Sequence, residues 1–143
     1  MTPKFALHPR LVAETFVLGD FPLCQLLLMD DAQYPWFILV PRRDAVKEIY
    51  GLSEVDQHEL LRESTQLSLA LMRAFHGEKL NVAALGNVVP QLHVHHIVRY
   101  ASDPAWPAPV WGKLPRKPYD TAGRAARSDA LLQLLTDNFT RAR

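Results

Sequence analysis

The chain has 143 residues, of which 48% are hydrophobic and 22% are charged. This balance is typical of one globular domain with a buried core, and it argues against a disordered chain. The formal net charge is only +1, so we expect no broad basic surface for nucleic acid. A local basic pocket for a nucleotide is still compatible with that charge.

Cys24 is the single cysteine, so the chain cannot form an internal disulfide. It lies in the apolar run 21–29, where a small buried core residue is expected. The sequence contains no apolar run of about 18 residues, and its N-terminus lacks the pattern of a secretory signal. A lone thiol also fits a reducing compartment. We therefore expect a cytoplasmic protein with no membrane partner.

Three apolar segments predict an antiparallel meander in the first third of the chain. Residues 15–18 are followed by the turn signal Gly19-Asp20, and the second segment is 23–29. A polar break at 30–33 separates it from the third segment, 36–40, which ends at a proline.

The clearest helix begins after Ser53, which can cap its N-terminus, with Asp56 three residues later in a capping-box pattern. Apolar residues then recur at helical spacing, with Leu61 and Met72 widening the stripe that is formed by Leu60, Leu67, Leu71 and Phe75. We expect Gly77 to end this helix in a left-handed conformation.

Two more strands, 80–85 and 91–99, are predicted as a hairpin around the turn 86–90. Residues 102–118 are rich in proline and tryptophan and predict an irregular but ordered loop. Ser128 is expected to cap a final helix, with one side formed by Leu131, Leu132, Leu135 and Phe139. Strands grouped around one long helix predict an α+β fold rather than a doubly wound sheet.

Three of the six histidines fall within four residues, in the predicted strand 91–99. Because side chains alternate along a strand, one face carries Gln91, His93, His95, Ile97 and Arg99. The other face carries Leu92, Val94, His96, Val98 and Tyr100. The second face is mostly apolar and is expected to cover the helix, with His96 as a structural residue. Burying the polar groups of the first face without partners would be costly, so that face should line a cleft.

A pair of imidazoles suits chemistry at phosphorus, because a neutral ring nitrogen can attack without first losing a proton. The second imidazole can donate a hydrogen bond or protonate a leaving group. Two alternatives stay open at this point. The histidines can be satisfied structural residues, or they can bind a metal such as zinc. A metal needs a third ligand, and no nearby Asp, Cys or Glu has an obvious spacing, so no metal ligand is assigned.

The segment 91–97 resembles the signature of the histidine-triad (HIT) family, His-x-His-x-His-x-x with apolar residues at x. Residues 36–42 resemble the family's strand that ends in proline and a basic residue, and 52–75 resemble its long helix. The segment 106–112 resembles a Trp-Pro-rich segment of the nucleotide-binding branch. The resemblance covers roughly residues 15–112 of a single predicted domain, 1–143. Residues 113–143 are then a C-terminal extension with a helix.

The resemblance implies an antiparallel sheet of about five strands with the long helix packed on it, in a homodimer. It implies a substrate that is a nucleoside phosphate, a dinucleoside polyphosphate or a phosphoramidate. His93 would attack the α-phosphorus to give a nucleotidyl-histidine, which water or another acceptor resolves. His95 would contact the phosphate or the leaving group. No firm cofactor is predicted, and a divalent cation such as Mg²⁺ would enter only with a polyphosphate substrate.

Gln91 stands where the family has the first histidine of the triad, and we count it among the catalytic residues with His93 and His95. Glutamine offers a donor and an acceptor, but it cannot carry a proton at neutral pH. This departure favours an alternative function, a nucleotide-binding or sensing module with little catalysis. A metal-binding protein is the second alternative.

The resemblance also assigns substrate-binding residues. Gly86, Asn87 and Val88 stand at the family's phosphate turn, where backbone N–H groups could hold a phosphate. Asp30 or Asp31 would accept hydrogen bonds from the ribose hydroxyls, and the sequence does not choose between them. Arg99 would reach a remote phosphate or a neighbouring subunit. Trp106 would either wall the site or pack in the loop, Trp111 is expected to pack in the loop, and Phe16 or Leu28 would contact the base.

Overall fold

The structure, a computed structural model, describes residues 5–143. It is an α+β fold in which six antiparallel strands lie in the order β4-β5-β3-β2-β1-β6. In chain order, the elements are α1 (Pro9–Glu14), β1 (Thr15–Asp20), β2 (Cys24–Met29), β3 (Trp36–Pro41), a 3-10 turn (Ile49–Gly51), α2 (Glu54–Phe75), β4 (Lys79–Ala83), β5 (Val94–Arg99), α3 (Thr121–Leu132) and β6 (Thr140–Arg141). The predicted fold class is confirmed, with the two-residue β6 added to the five expected strands.

The predicted meander is formed by β1, β2 and β3, which pair with their neighbours in sequence. Gly19 and Asp20 belong to β1 rather than to a turn, and the chain reverses after them, where the Phe21 N–H donates to the Cys24 carbonyl at 2.8 Å. A bulge falls between Val17 and Gly19. A β carbon at Gly19 would collide with the backbone of Thr140, so the glycine allows β6 to approach β1.

Helix α2 begins as predicted, since the Ser53 hydroxyl accepts a hydrogen bond from the Asp56 N–H at 3.1 Å. Leu61 is 66% exposed, so its predicted place in the buried stripe is wrong. The left-handed residue at the C-terminus is His76, with φ of 50°, and not Gly77. Gly77 is required for space instead, because a β carbon there would collide with the side chain of Val98.

The predicted hairpin of β4 and β5 is confirmed, with Ala83 paired with His95 at the end next to the connecting loop. Strand β5 begins only at Val94, so Gln91 and His93 lie in the connection that precedes it. Helix α3 begins seven residues before the predicted cap Ser128, which is buried inside it. Its N-terminus is capped by Asp120, whose carboxylate accepts from the Gly123 N–H at 2.6 Å.

The two faces of the sheet bury different clusters. One face packs on α2 and α3 through a core that includes Leu28, Phe37, Val94, Val98, Leu67 and Leu131. The opposite face carries a second cluster that includes Leu27, Trp36, Ile38, Ile97, Val89 and Val110. Helix α1, which the sequence did not predict, adds Leu11 to this second cluster. Among residues 5–143, no helix is long and apolar enough to cross a membrane.

Glu63 ties α2 to the turn between β1 and β2. Its fully buried carboxylate accepts from the N–H groups of Leu23 and Cys24 at 2.9 and 2.8 Å. These two donors have no acceptor within the turn itself, so the helix carboxylate replaces the water that burial removed. Cys24 is fully buried beside it, as the sequence predicted.

Replacing Glu63 should therefore destabilise the fold. Glu63→Ala leaves two buried N–H groups unpaired and should lower the free energy of unfolding by roughly 3 kcal/mol. Glu63→Gln keeps one acceptor and should lose less. Urea denaturation measures both variants, with Glu54→Ala as a control that removes an exposed carboxylate from the first turn of the same helix and should cost under about 1 kcal/mol. Equal losses for Glu63→Ala and Glu54→Ala would contradict this role.

Candidate functional site

A cleft of about 520 Å³ lies on the face of the sheet opposite to α2 and α3. Its size is within the range of about 300–1,000 Å³ that is usual for small-molecule sites. The strands, α1, the connection before β5 and the loop after β5 all contribute to its walls. The lining residues include Arg10, Leu11, Glu14, Met29, Asp31, Trp36, Ile38, Gly86, Asn87, Val88, His93, His95, Trp111 and Arg116.

His93 is fixed by the backbone just before it. Its Nδ1 lies 2.7 Å from the carbonyl oxygen of Gln91. A carbonyl can only accept, so Nδ1 carries the hydrogen and donates it. In the neutral ring Nε2 then holds the lone pair. His93 therefore presents a nucleophilic nitrogen from a buried ring that lines the cleft.

His95 is fixed in the opposite way. The Trp36 Nε1–H donates to His95 Nδ1 at 3.0 Å, and both side chains are buried. An indole nitrogen can only donate, so Nδ1 is the acceptor and the hydrogen of the neutral His95 ring is on Nε2. Burial, together with the charges that His93 and His96 would carry, lowers the pKa of His95 from 6.5 to about 3. At neutral pH the ring is thus an uncharged N–H donor.

The two rings lie next to each other, with centroids 4.9 Å apart in an edge-to-face arrangement. One offers a lone pair and the other offers an N–H group, which suits attack on a phosphorus and hydrogen bonding to one of its oxygens. His96 points to the other face, where its Nε2 contacts the Ser64 hydroxyl of α2 at 2.7 Å. The predicted division of the three histidines between two faces is confirmed.

The turn Gly86–Val88 lines the same cleft as the imidazole pair. Gly86 has φ of 73°, a conformation that glycine adopts without strain. Within residues 5–143, no hydrogen bond engages the backbone N–H of Asn87 or Val88. These two N–H groups are therefore free to bind an anion, and phosphate binding at this turn stays a prediction.

The structure separates the two aspartates that the sequence left open. Asp31 lines the cleft and is buried, with Oδ1 held by the N–H groups of Gln33. Asp30 lies outside the cleft lining, where its carboxylate accepts from the Tyr119 N–H and from Arg116. Asp31 is therefore the carboxylate placed to meet a ligand, and Asp30 anchors the C-terminal segment.

Arg99 does not reach the cleft, contrary to its predicted role. It is almost fully buried and forms a two-point ion pair with Asp103, at 2.8 and 3.1 Å. Its other hydrogen bonds go to Asn81 and to the Ala108 carbonyl. Trp106 stacks near this guanidinium, 5.6 Å from ring centroid to Cζ, and lies outside the cleft lining. Both residues hold the loop after β5 in place.

The Gln91 side chain is also outside the cleft lining. Its amide oxygen and nitrogen are bound to backbone groups of His8 and Ala6. Only its backbone carbonyl serves the site, as the acceptor for His93 Nδ1. The prediction of a catalytic Gln91 side chain therefore needs correction, because the amide is already used elsewhere in the fold.

Several lining residues were missed by the sequence reasoning. Trp111 was expected to pack in the loop, yet it lines the cleft with its ring 5.2 Å from that of His95. Trp36 was noted only as part of a strand. Phe16 and Leu28 pack in the cluster on the helix side, so their predicted contact with a base is wrong. Strand alternation places Met29 at the cleft instead.

The part of the chain that the structure describes contains no set of ligands for a metal ion. No group of three or more His, Cys, Asp or Glu side chains lies close enough there to bind one ion. The Nδ1 atoms of His93 and His95 are also both engaged, by a carbonyl and an indole N–H.

The antiparallel α+β sheet and the imidazole pair at its cleft define a protein of the histidine-triad type. The model of the HIT domain family matches residues 10–102, and the chain belongs to this family. No curated protein matches the chain.

Among solved structures, the chain is similar to a histidine triad protein from Marinobacter aquaeolei VT8, with 53% identity and a TM-score of 0.92, over 95% of this chain and 99% of that one. It is similar to a histidine triad protein from Bradyrhizobium japonicum, with 45% identity and a TM-score of 0.91, over 93% and 99% of the two chains. A third, from Sinorhizobium meliloti 1021, has 40% identity and a TM-score of 0.90, over 92% and 97%.

The buried histidines make stability depend on pH. Burial lowers the pKa of His95 to about 3 and that of His96 to about 4, both from 6.5. The unfolded chain therefore binds these protons at a higher pH than the folded one, and stability should fall as the pH drops from about 6.5 to 4. His95→Asn should reduce that slope by up to about 1.4 kcal/mol per pH unit.

Urea denaturation of wild type and His95→Asn between pH 7.5 and 4.5 measures this difference. Carboxylates contribute to the slope of both proteins, so only the change between the two curves is assigned to His95. Parallel curves would show that the imidazole is not held neutral by the fold.

Proposed function

We propose that this protein cleaves a nucleoside phosphate, a dinucleoside polyphosphate or a nucleoside phosphoramidate at the α-phosphorus, through a nucleotidyl-histidine on His93. The observation that supports this most strongly is the opposite hydrogen bonding of the two cleft imidazoles. His93 Nδ1 donates to a carbonyl, and His95 Nδ1 accepts from Trp36. One ring is thereby set up as a nucleophile and the other as a donor.

In the first step the lone pair of His93 Nε2 forms a bond to the α-phosphorus. The bond from phosphorus to the leaving oxygen or nitrogen breaks, and its electron pair leaves with that group, which takes a proton from solvent. In the second step water attacks the same phosphorus and the nitrogen–phosphorus bond breaks. The ring nitrogen regains its lone pair, and the proton of water goes to solvent. A different acceptor in place of water makes the reaction a transfer.

Charge on the phosphoryl oxygens is stabilised by donors that are already oriented in the folded protein. They are the Nε2–H of His95 and the free backbone N–H groups of Asn87 and Val88. Because the pKa of His95 is lowered to about 3, its hydrogen bond does not depend on protonation of the ring near neutral pH. Asp31, farther along the cleft lining, suits a sugar hydroxyl.

A panel of dinucleoside polyphosphates and nucleoside phosphoramidates tests this function. Wild type should turn over at least one member, and His93→Ala should reduce its kcat by at least about 10³-fold, as expected when a nucleophile is lost. His95→Ala should reduce kcat by about 10²-fold, since one preorganised donor is removed. With the preferred substrate, denatured wild type should carry the added mass of one nucleotidyl group.

His58→Ala is the matched control, because this histidine is exposed on α2, and its kcat should equal that of wild type. Equal and negligible turnover by wild type and His93→Ala for every substrate would contradict the enzyme. If nucleoside monophosphates then bind in calorimetry, without any covalent adduct, the chain is a nucleotide-binding module.

We also propose that two copies pair through β4, which lies at one edge of the sheet. An unpaired edge with exposed apolar residues favours pairing with another strand, and Val82 of β4 is 50% exposed. Light scattering should give twice the chain mass of 16.2 kDa. Val82→Lys should shift the protein toward 16.2 kDa. A wild-type mass of one chain at micromolar concentration would exclude this pairing.

A further inference from the structure

The side chain of Gln91 forms two hydrogen bonds with one short stretch of backbone near the N-terminus. Its Nε2 donates to the Ala6 carbonyl at 2.9 Å, and its Oε1 accepts from the His8 N–H at 2.9 Å. These partners are 83 and 85 residues away in sequence. A single side chain therefore joins the segment 6–8 to the position two residues before His93.

Segment 6–8 leads directly into α1, which is a wall of the cleft. His8 is the N-cap residue of α1, and its own side chain accepts from the Arg10 N–H. Leu11 is buried in the cluster on the cleft side, and Arg10 and Glu14 also line the cleft. At the far end, the Glu14 carbonyl accepts from the Asp30 N–H at 3.0 Å. Helix α1 thus bridges from the histidine end of the cleft to the aspartate end.

This helix has six residues, too few to be stable in isolation. Its position depends on the contacts at its two ends and on the burial of Leu11. At the C-terminal end the chain continues into β1, which is paired with β2. At the N-terminal end, the Gln91 amide binds the backbone of residues 6–8 through two hydrogen bonds, and Leu7 packs against the cluster on the cleft side.

We propose that Gln91 is a positioning residue that holds α1 as a substrate-binding wall, and that its side chain takes no part in the reaction. A carboxamide carries its donor and acceptor side by side on one carbon, so it can bind a C=O and an N–H group of the same backbone segment. The ring nitrogens of histidine point away from each other. Histidine at position 91 would therefore lose one of the two contacts.

The kinetic consequence rests on the proposed function, whereas the structural consequence does not. We call the two hydrogen bonds of the Gln91 side chain the clamp. Losing the clamp loosens α1, the wall that would contact bound substrate, but it leaves the Gln91 carbonyl, His93 and His95 in place. Gln91→Ala should therefore raise KM about tenfold, the scale of one or two lost hydrogen bonds. Its kcat should stay within about twofold of wild type, because transition-state contacts are retained.

Amide hydrogen exchange of the full chain tests the clamp without any substrate. In Gln91→Ala the amides of His8 and Val12 should exchange at least about tenfold faster than in wild type, since α1 opens locally. Gln57→Ala is the matched control. Gln57 also donates to a backbone carbonyl, that of Leu52, but at the start of α2, so exchange in α1 and KM should not change.

Gln91→His restores the triad pattern and separates the two roles of this position. We expect faster exchange in α1, a raised KM and no gain in kcat. Gln91→Glu keeps the acceptor for the His8 N–H and should give smaller effects than Gln91→Ala. Unchanged exchange at His8 in Gln91→Ala would overturn the clamp. A tenfold gain in kcat for Gln91→His, with KM and exchange unchanged, would overturn the noncatalytic role.

Discussion

Two hydrogen bonds of opposite direction determine what the cleft can do. The Gln91 carbonyl takes the hydrogen of His93 Nδ1, while the Trp36 indole gives its hydrogen to His95 Nδ1. Each bond fixes one tautomer of one ring, because a carbonyl cannot donate and an indole N–H cannot accept. Both residues are histidines with the same ring. The fold makes the His93 ring a nucleophile and the His95 ring a hydrogen-bond donor.

The sheet supplies the geometry for both bonds. Strands β3 and β5 are neighbours, with Ile38 opposite His95 and Trp36 opposite Ile97. Trp36 and His95 therefore share the cleft face of adjacent strands, where a long indole can reach the ring. Behind them the loop after β5 is held by the buried pair of Arg99 and Asp103, and this loop brings Trp111 against His95. Burial by these aromatic neighbours keeps the His95 ring uncharged.

Much of the fold and part of the site could be predicted from local patterns. Alternation along 91–99 correctly divided the histidines between two faces, and the capping pattern at Ser53 located α2. Local patterns could not show contacts between distant segments. Arg99 and Gln91 were assigned to the cleft because polar residues on its predicted face had no visible partners. Their partners, Asp103 and the segment 6–8, could be identified only from the structure.

The errors share a physical origin. A polar side chain in a buried place needs a partner, and the sequence cannot say whether that partner is a ligand or another part of the chain. The helix ends were mispredicted for a related reason. Ser128 and Asp120 are both good caps, and contacts of the first two turns with distant rings, Arg124 over Phe16 and Arg127 over Phe75, favour the start at Asp120.

The tautomers of His93 and His95 test the central claim most directly. Long-range ¹H–¹⁵N correlation spectra of the full chain at pH 8 distinguish protonated from unprotonated ring nitrogens. We expect the His93 ring to have its hydrogen on Nδ1 with Nε2 free, and the His95 ring to have its hydrogen on Nε2 with Nδ1 accepting. The same tautomer on both rings, or a hydrogen on Nδ1 of His95, would contradict the account.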